Sequence, residues 1–113
     1  MTEPPLADDA RTGVTVPPAV TLYAEFTALP GREAAVEELL RDLTARVRGE
    51  PGNLAFLAHH KLEDPAAFFV YEEYRDRSAF ADHLAADYGA RFNASLSSLI
   101  VEDASVLTQL VRL

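Results

Sequence analysis

Phe68-Phe-Val-Tyr-Glu-Glu-Tyr-Arg-Asp-Arg-Ser-Ala-Phe-Ala-Asp-His-Leu84 decides the fold. Its first half is an aromatic run of strand-forming residues. Phe68, Val70, Glu72 and Tyr74 share one face, while Phe69, Tyr71 and Glu73 share the other. Asp76 then offers a helix N-cap, and the apolar spacing changes to about 3.6 residues through Phe80 and Leu84. That helix carries His83. A strand-end acid and aromatic, Glu72 and Tyr74, should therefore meet a helix imidazole across a thin hydrophobic layer.

Working outward, Ala19–Ala28 alternates as a strand, with Val20, Leu22, Ala24 and Phe26 opposed to Thr21, Tyr23, Glu25 and Thr27. Leu29-Pro-Gly-Arg32 is a turn. Over Glu33–Glu50, the residues Val36, Leu39, Leu40, Leu43 and Val47 make one helical stripe. The opposite face is acid and arginine and should face water, and Pro51-Gly52 ends the helix. Asn53–Lys61 reads as a second strand, with Leu54, Phe56, Ala58 and His60 on one face and Ala55, Leu57 and His59 on the other. A turn over Leu62–Pro65 leads into a third strand, Ala66–Arg75. The second helix covers Arg77–Ala86, breaks near Asp87–Gly89 and resumes to about Ser98. Phe80, Leu84, Tyr88, Phe92, Leu96 and Leu99 are its inward stripe, and Ser105–Val111 is the last strand.

This βαββαβ order predicts an α+β, ferredoxin-like fold: one antiparallel sheet with both helices on one face. The single domain spans residues 19–113, and residues 1–18 read as a flexible tail with two proline pairs and Asp8-Asp9. Val14 and Val16 are its only alternating pair. Two helices can cover only one face, yet Tyr23, Leu57, Phe69 and Tyr71 make the other apolar as well. An uncovered apolar face expects a partner, and closed symmetry makes a second copy the default. A homodimer through the helix-free sheet face is the expectation.

With 113 residues there is room for one core only. A net charge of -8 and a lone lysine, Lys61, exclude a phosphate-binding stripe and oppose anionic membrane surfaces, so neither nucleic acid nor membrane is expected. Without cysteine there is no disulfide framework, thiolate metal site or cysteine nucleophile. The N-terminus lacks a basic segment followed by an apolar run, and no apolar stretch approaches the roughly 20 residues of a membrane span. A cytoplasmic protein is the default.

The order of elements, the Leu-Pro-Gly turn, Glu-Pro-Gly-Asn at 50–53, and Tyr-Glu-Glu-Tyr-Arg-Asp followed by His83 resemble the antibiotic biosynthesis monooxygenase family. The resemblance spans Ala19 to Leu113. It implies a dimeric α+β barrel and, among known members, cofactor-free oxygenases of polyketide anthrones, quinol oxygenases, haem-degrading oxygenases and an isomerase of a phosphorylated sugar. The family's acid at the end of strand three falls on Glu72, and its helix-two histidine falls on His83. A tryptophan frequent two residues after the acid is Tyr74 here, and a second histidine in the helix break is replaced within Ala86-Asp87-Tyr88. The haem-degrading branch places an asparagine near Ala24 and needs the missing tryptophan, which argues against haem.

Glu72 and His83 are the catalytic candidates. A carboxylate beside an imidazole stabilises imidazolium and lets the pair relay a proton. Cofactor-free oxygenation of a phenol needs such a base; the bland alternative is a hydrogen bond that pins the helix to the sheet. Tyr74, Tyr88, Phe56, Phe80 and Phe92 can line a cavity for a small aromatic molecule, or simply fill the core. Asn53 can donate to a substrate carbonyl or cap its turn. His59 and His60 point to opposite strand faces, which opposes chelation of one ion, so no metal is expected, and the resemblance to cofactor-free oxygenases implies no cofactor. Three functions fit: an oxygenase of a quinol or polycyclic phenol, a proton-shuttling isomerase using the same pair, and a non-catalytic ligand-binding or stress-associated dimer.

Overall fold

Alternation of period two makes the sheet, and what covers it follows from which alternate face is more apolar. The computed structural model describes residues 17–113; Val14, Val16 and the rest of the expected tail up to residue 16 lie outside the described residues. The elements are β1 (Val20–Thr27), α1 (Glu33–Arg48), β2 (Asn53–Lys61), β3 (Asp64–Tyr74), α2 (Arg77–Ala85), α3 (Asp87–Leu96) and β4 (Val106–Leu110). The four strands form one antiparallel sheet in the order β2-β3-β1-β4. The connection through α1 thus passes over β3, as the ferredoxin-like arrangement requires.

Register places Val20, Leu22, Ala24 and Phe26 opposite Tyr74, Glu72, Val70 and Phe68. All eight are buried beneath the helices. Val36, Leu40, Leu43 and Val47 of α1, with Leu96 and Ile100, close the main core over Phe26, Phe56 and Phe68. A second cluster joins Val20, Leu22 and Tyr74 to Ala79 and Phe80 of α2. Asp76 caps α2 as expected, its Oδ1 accepting from the Ala79 amide at 2.8 Å.

Four local readings change. The helical segment after β3 breaks at Ala86, whose backbone is extended (φ -68°, ψ 133°), so α2 and α3 are separate helices and Asp87 and Gly89 are helical. Helix α1 stops at Arg48, two residues early, and Glu50 lies in the following turn. The turn after β2 is tighter than expected, with Leu62 and Glu63 between the paired residues Lys61 and Asp64. In β2 the alternation slips: Asn53 pairs with Tyr74 and Ala55 with Glu73, so Leu54 is an extra, bulged residue. Leu54 is consequently 54% exposed instead of sharing the face of Phe56, and buried Asn53 takes its place.

The Pro51-Gly52 turn is held against α2. Gly52 accepts from the Arg75 amide at 2.8 Å, and a Cβ on Gly52 would lie 2.3 Å from the Ala79 Cβ. Among the described residues no helix is long and apolar enough to cross a membrane. Gly52→Ala should destabilise the domain by about 1–3 kcal/mol, the range for overpacking. Urea denaturation compared with wild type checks this, and an unchanged midpoint would show that the α1–β2 turn moves freely.

Candidate active site

The register that puts Glu72 beside Leu22 and Phe56 makes it a carboxylate in an apolar layer. Its nearest partner is its neighbour on the same strand face: the Tyr74 hydroxyl donates to Glu72 Oε1 at 2.7 Å. Burial pushes the Glu72 carboxyl above the ordinary range, and the Glu50 charge adds to this against the Tyr74 hydrogen bond and His83. Burial, then the Glu72 charge, pushes Tyr74 up as well, so that it keeps its proton.

His83 lies over this pair. Its ring is 4.8 Å from the Tyr74 ring and is stacked at 6.2 Å on Phe80, one helical turn before it on α2. The Nε2–Glu72 Oε1 distance of 3.7 Å is within ion-pair range and too long for a hydrogen bond. The close partner is Glu50. His83 Nδ1 donates to the Glu50 carboxylate, at 3.1 Å to Oε2 and 3.2 Å to Oε1. Since a carboxylate only accepts, this contact puts the neutral ring's proton on Nδ1 and leaves a lone pair on Nε2. The Tyr88 hydroxyl donates to the same Glu50 oxygen. Its pKa is pushed up to about 12, by burial first and then by the Glu50 hydrogen bond and charge.

Glu50 was invisible to helical periodicity, which assigned it to the solvated face of α1. The signal that marks it is Glu-Pro-Gly-Asn at 50–53, where proline and glycine turn the chain back toward the sheet. Asn53 is a structural residue at this turn. It accepts from Arg48 Nη1 at 2.6 Å and donates to the backbone carbonyls of Ala55 and Glu73. Asn53 is not among the residues that line the cavity described next.

A cavity of about 270 Å³ lies between the sheet and the helices. Glu72, His83, Phe56, Phe80 and Phe92 all line it, together with Leu22, Leu107 and other apolar side chains. Tyr74 and Tyr88 do not; each stands behind the lining and bonds to a carboxylate. His59 and His60 are elsewhere on β2, against Phe69 and Phe68 on opposite faces, and no metal-binding cluster exists among the described residues.

With this geometry in hand, comparison places the chain. Residues 19–95 match the sequence profile described as antibiotic biosynthesis monooxygenase. The chain belongs to that family. Among solved structures, PA3566 from Pseudomonas aeruginosa is 32% identical, covering 88% of this chain and 99% of its own, with a TM-score of 0.78. A structure described as an antibiotic biosynthesis monooxygenase is 24% identical over 83% of this chain and 98% of its own (TM-score 0.77), and Rv0793 from Mycobacterium tuberculosis is 22% identical over 84% and 95% (TM-score 0.77). The last two show likeness of fold alone. No curated protein sequence matches. Membership in the family agrees with the ferredoxin-like sheet.

The raised Glu72 pKa has a consequence for stability. A carboxyl whose folded pKa lies above its ordinary 4.5 contributes fully to stability below that pH and loses the contribution as pH rises through the folded value. Glu72→Gln keeps an acceptor for Tyr74 and removes the ionisation. It should melt at a higher temperature than wild type at about pH 7.5, with the gain vanishing toward about pH 4.5. Thermal melts at both pH values decide it; a variant less stable than wild type at neutral pH would mean the carboxylate is stabilised where it sits.

Proposed function

We propose that the protein is a cytoplasmic, homodimeric, cofactor-independent monooxygenase acting on a quinol or phenol of one or two fused rings. The observation that carries this reading is His83: Glu50 holds Nδ1 while Nε2 is left beside Glu72 in a mostly apolar cavity. The volume narrows the substrate. About 270 Å³ sits just below the usual range of ~300–1,000 Å³ for small-molecule sites, which suits one or two rings better than a tetracyclic phenol. Neither lysine nor arginine lines the cavity, which disfavours the phosphorylated sugar of the isomerase reading.

In this reading His83 Nε2 removes the phenolic proton, and the electron-rich ring passes an electron to dioxygen. The radical pair collapses to a carbon–oxygen bond, and the peroxide oxygen takes back the imidazolium proton. Nε2 then removes hydrogen from the same ring carbon. That C–H electron pair becomes the new carbonyl bond as the O–O bond breaks, and hydroxide leaves with the Glu72 proton as water. The imidazolium returns its proton to Glu72. The ring loses two hydrogens and gains one oxygen, water receives the other, and the substrate is the sole reductant. His83 is thus the base, Glu72 the acid and Glu50 the residue that orients the base. Burial that holds the Glu72 carboxyl above the ordinary range suits it to the part of acid.

The helix-free face supports the dimer. Tyr23 and Phe69 stack there at 5.0 Å, and Leu57 and Val106 are 53% and 50% exposed. Apolar side chains gathered on one uncovered face expect a partner.

His83→Ala should stay folded and lower oxygen consumption with a hydroquinone or naphthol panel by about 10²–10⁴, the contribution of a positioned acid–base group. If every panel member is bound without consuming oxygen, the ligand-binding reading replaces this one. Tyr71→Glu should give monomers or insoluble protein, because a sheet-to-sheet interface of about 800 Å² per subunit cannot hide an unpaired charge. A fully dimeric variant in sedimentation would move the interface elsewhere.

A further inference from the structure

Tyr88 stands between two spaces. On one side is the substrate cavity; on the other is a cleft of about 140 Å³ between α1 and α3, walled by Asp42, Arg46, Tyr88, Arg91 and Ser95. Leu43 and Phe92 line both and act as the apolar partition between them. The partition is bypassed by hydrogen bonds alone: His83 Nδ1 donates to Glu50 Oε2, and Tyr88 Oη donates to the same oxygen. His83 and Glu50 are only 14% and 15% exposed, whereas the cleft is polar and large enough for water. The Arg46 guanidinium lies over the Tyr88 ring at 5.9 Å and fixes it at the cleft.

We infer that Glu50 and Tyr88 form a proton relay that connects His83 to solvent through the α1–α3 cleft while a ligand fills the cavity. This rests on the reading of His83 as the base. The path is complete in both directions: the phenolic proton stays on Nε2 while the Nδ1 proton leaves, and a solvent proton returns to Nδ1 when the peroxide takes the one on Nε2, which frees Nε2 for the C–H step. When Nε2 takes a phenolic proton, the imidazolium gives its Nδ1 proton to the Glu50 carboxylate. The Tyr88 hydroxyl rotates to donate its own proton to cleft water and accepts the one from Glu50. Tyr88 never needs to be an anion, in keeping with its raised pKa of about 12. The relay explains why a tyrosine outside the cavity lining and an acid outside the sheet are both joined to the catalytic imidazole.

The test uses 2-naphthol, a two-ring phenol that is un-ionised in neutral water and whose anion absorbs at longer wavelength, mixed anaerobically by stopped flow with the 113-residue protein in weakly buffered neutral solution containing a pH indicator. In wild type, ionisation of the bound phenol and acidification of the medium should coincide. In Tyr88→Phe, ionisation should keep its amplitude while release of the proton lags by about 10², the lower end of what a positioned proton-transfer group supplies. Glu50→Gln, which can neither accept the proton nor supply the counter-charge, should lower the amplitude of ionisation and delay release of the protons that remain. Coincident traces in both variants would overturn the relay and leave the base assignment standing. No ionisation in wild type, or undiminished ionisation in His83→Ala, would overturn the base assignment and the relay with it.

Discussion

The site depends on two carboxylates withdrawn from water onto one imidazole. Glu72 is nine-tenths buried or more, Glu50 is 15% exposed, and both lie within ion-pair range of His83. Isolated carboxylates at such depth are costly, so each is paired: Glu72 with the Tyr74 hydroxyl, Glu50 with Nδ1 and the Tyr88 hydroxyl. The two acids differ in what they touch. Glu50 contacts the imidazole directly and sets its tautomer, whereas Glu72 sits in the apolar layer, its carboxyl pushed up by burial.

Packing outside the site serves this arrangement. Gly52 lets the turn after α1 press against Ala79 of α2, which brings Glu50 toward His83 one turn farther along that helix. The β2 bulge at Leu54 puts Asn53 on the helix side, where Arg48 and two backbone carbonyls hold it. The break at Ala86 redirects α3 so that Tyr88 reaches Glu50 and Phe92 reaches Phe26. Each device breaks a regular period at a point where regularity would separate the polar groups. Such local departures are where function and strain are expected to concentrate.

The cavity itself is mostly apolar, and that matters for chemistry. In the proposed reaction, removal of a phenolic proton in a low-dielectric site needs a counter-charge close by, and Glu50 lies at hydrogen-bond distance from Nδ1. In that reading a bound ligand also separates His83 from bulk water. A polar path behind the lining, through side chains that never touch the ligand, resolves that tension without opening the cavity.

Local rules alone determined much of this protein. Period-two alternation gave the partition of β1 and β3 into two faces, and the 3.6 period gave the buried stripe of α1, because each needs only the nearest residues along the chain. The conjunction of Glu72, Tyr74 and His83 was legible for the same reason: strand, cap and helix are contiguous in sequence. Glu50 was not. It lies 33 residues from His83, and a helical pattern cannot say that the helix ends at Arg48 and the next turn faces inward. The bulge at Leu54 and the break at Ala86 were equally hidden, since both are settled by partners across the sheet and between helices. Only tertiary structure decided which acid holds the imidazole, because that contact joins segments whose meeting depends on the whole sheet register and on a glycine that permits close approach.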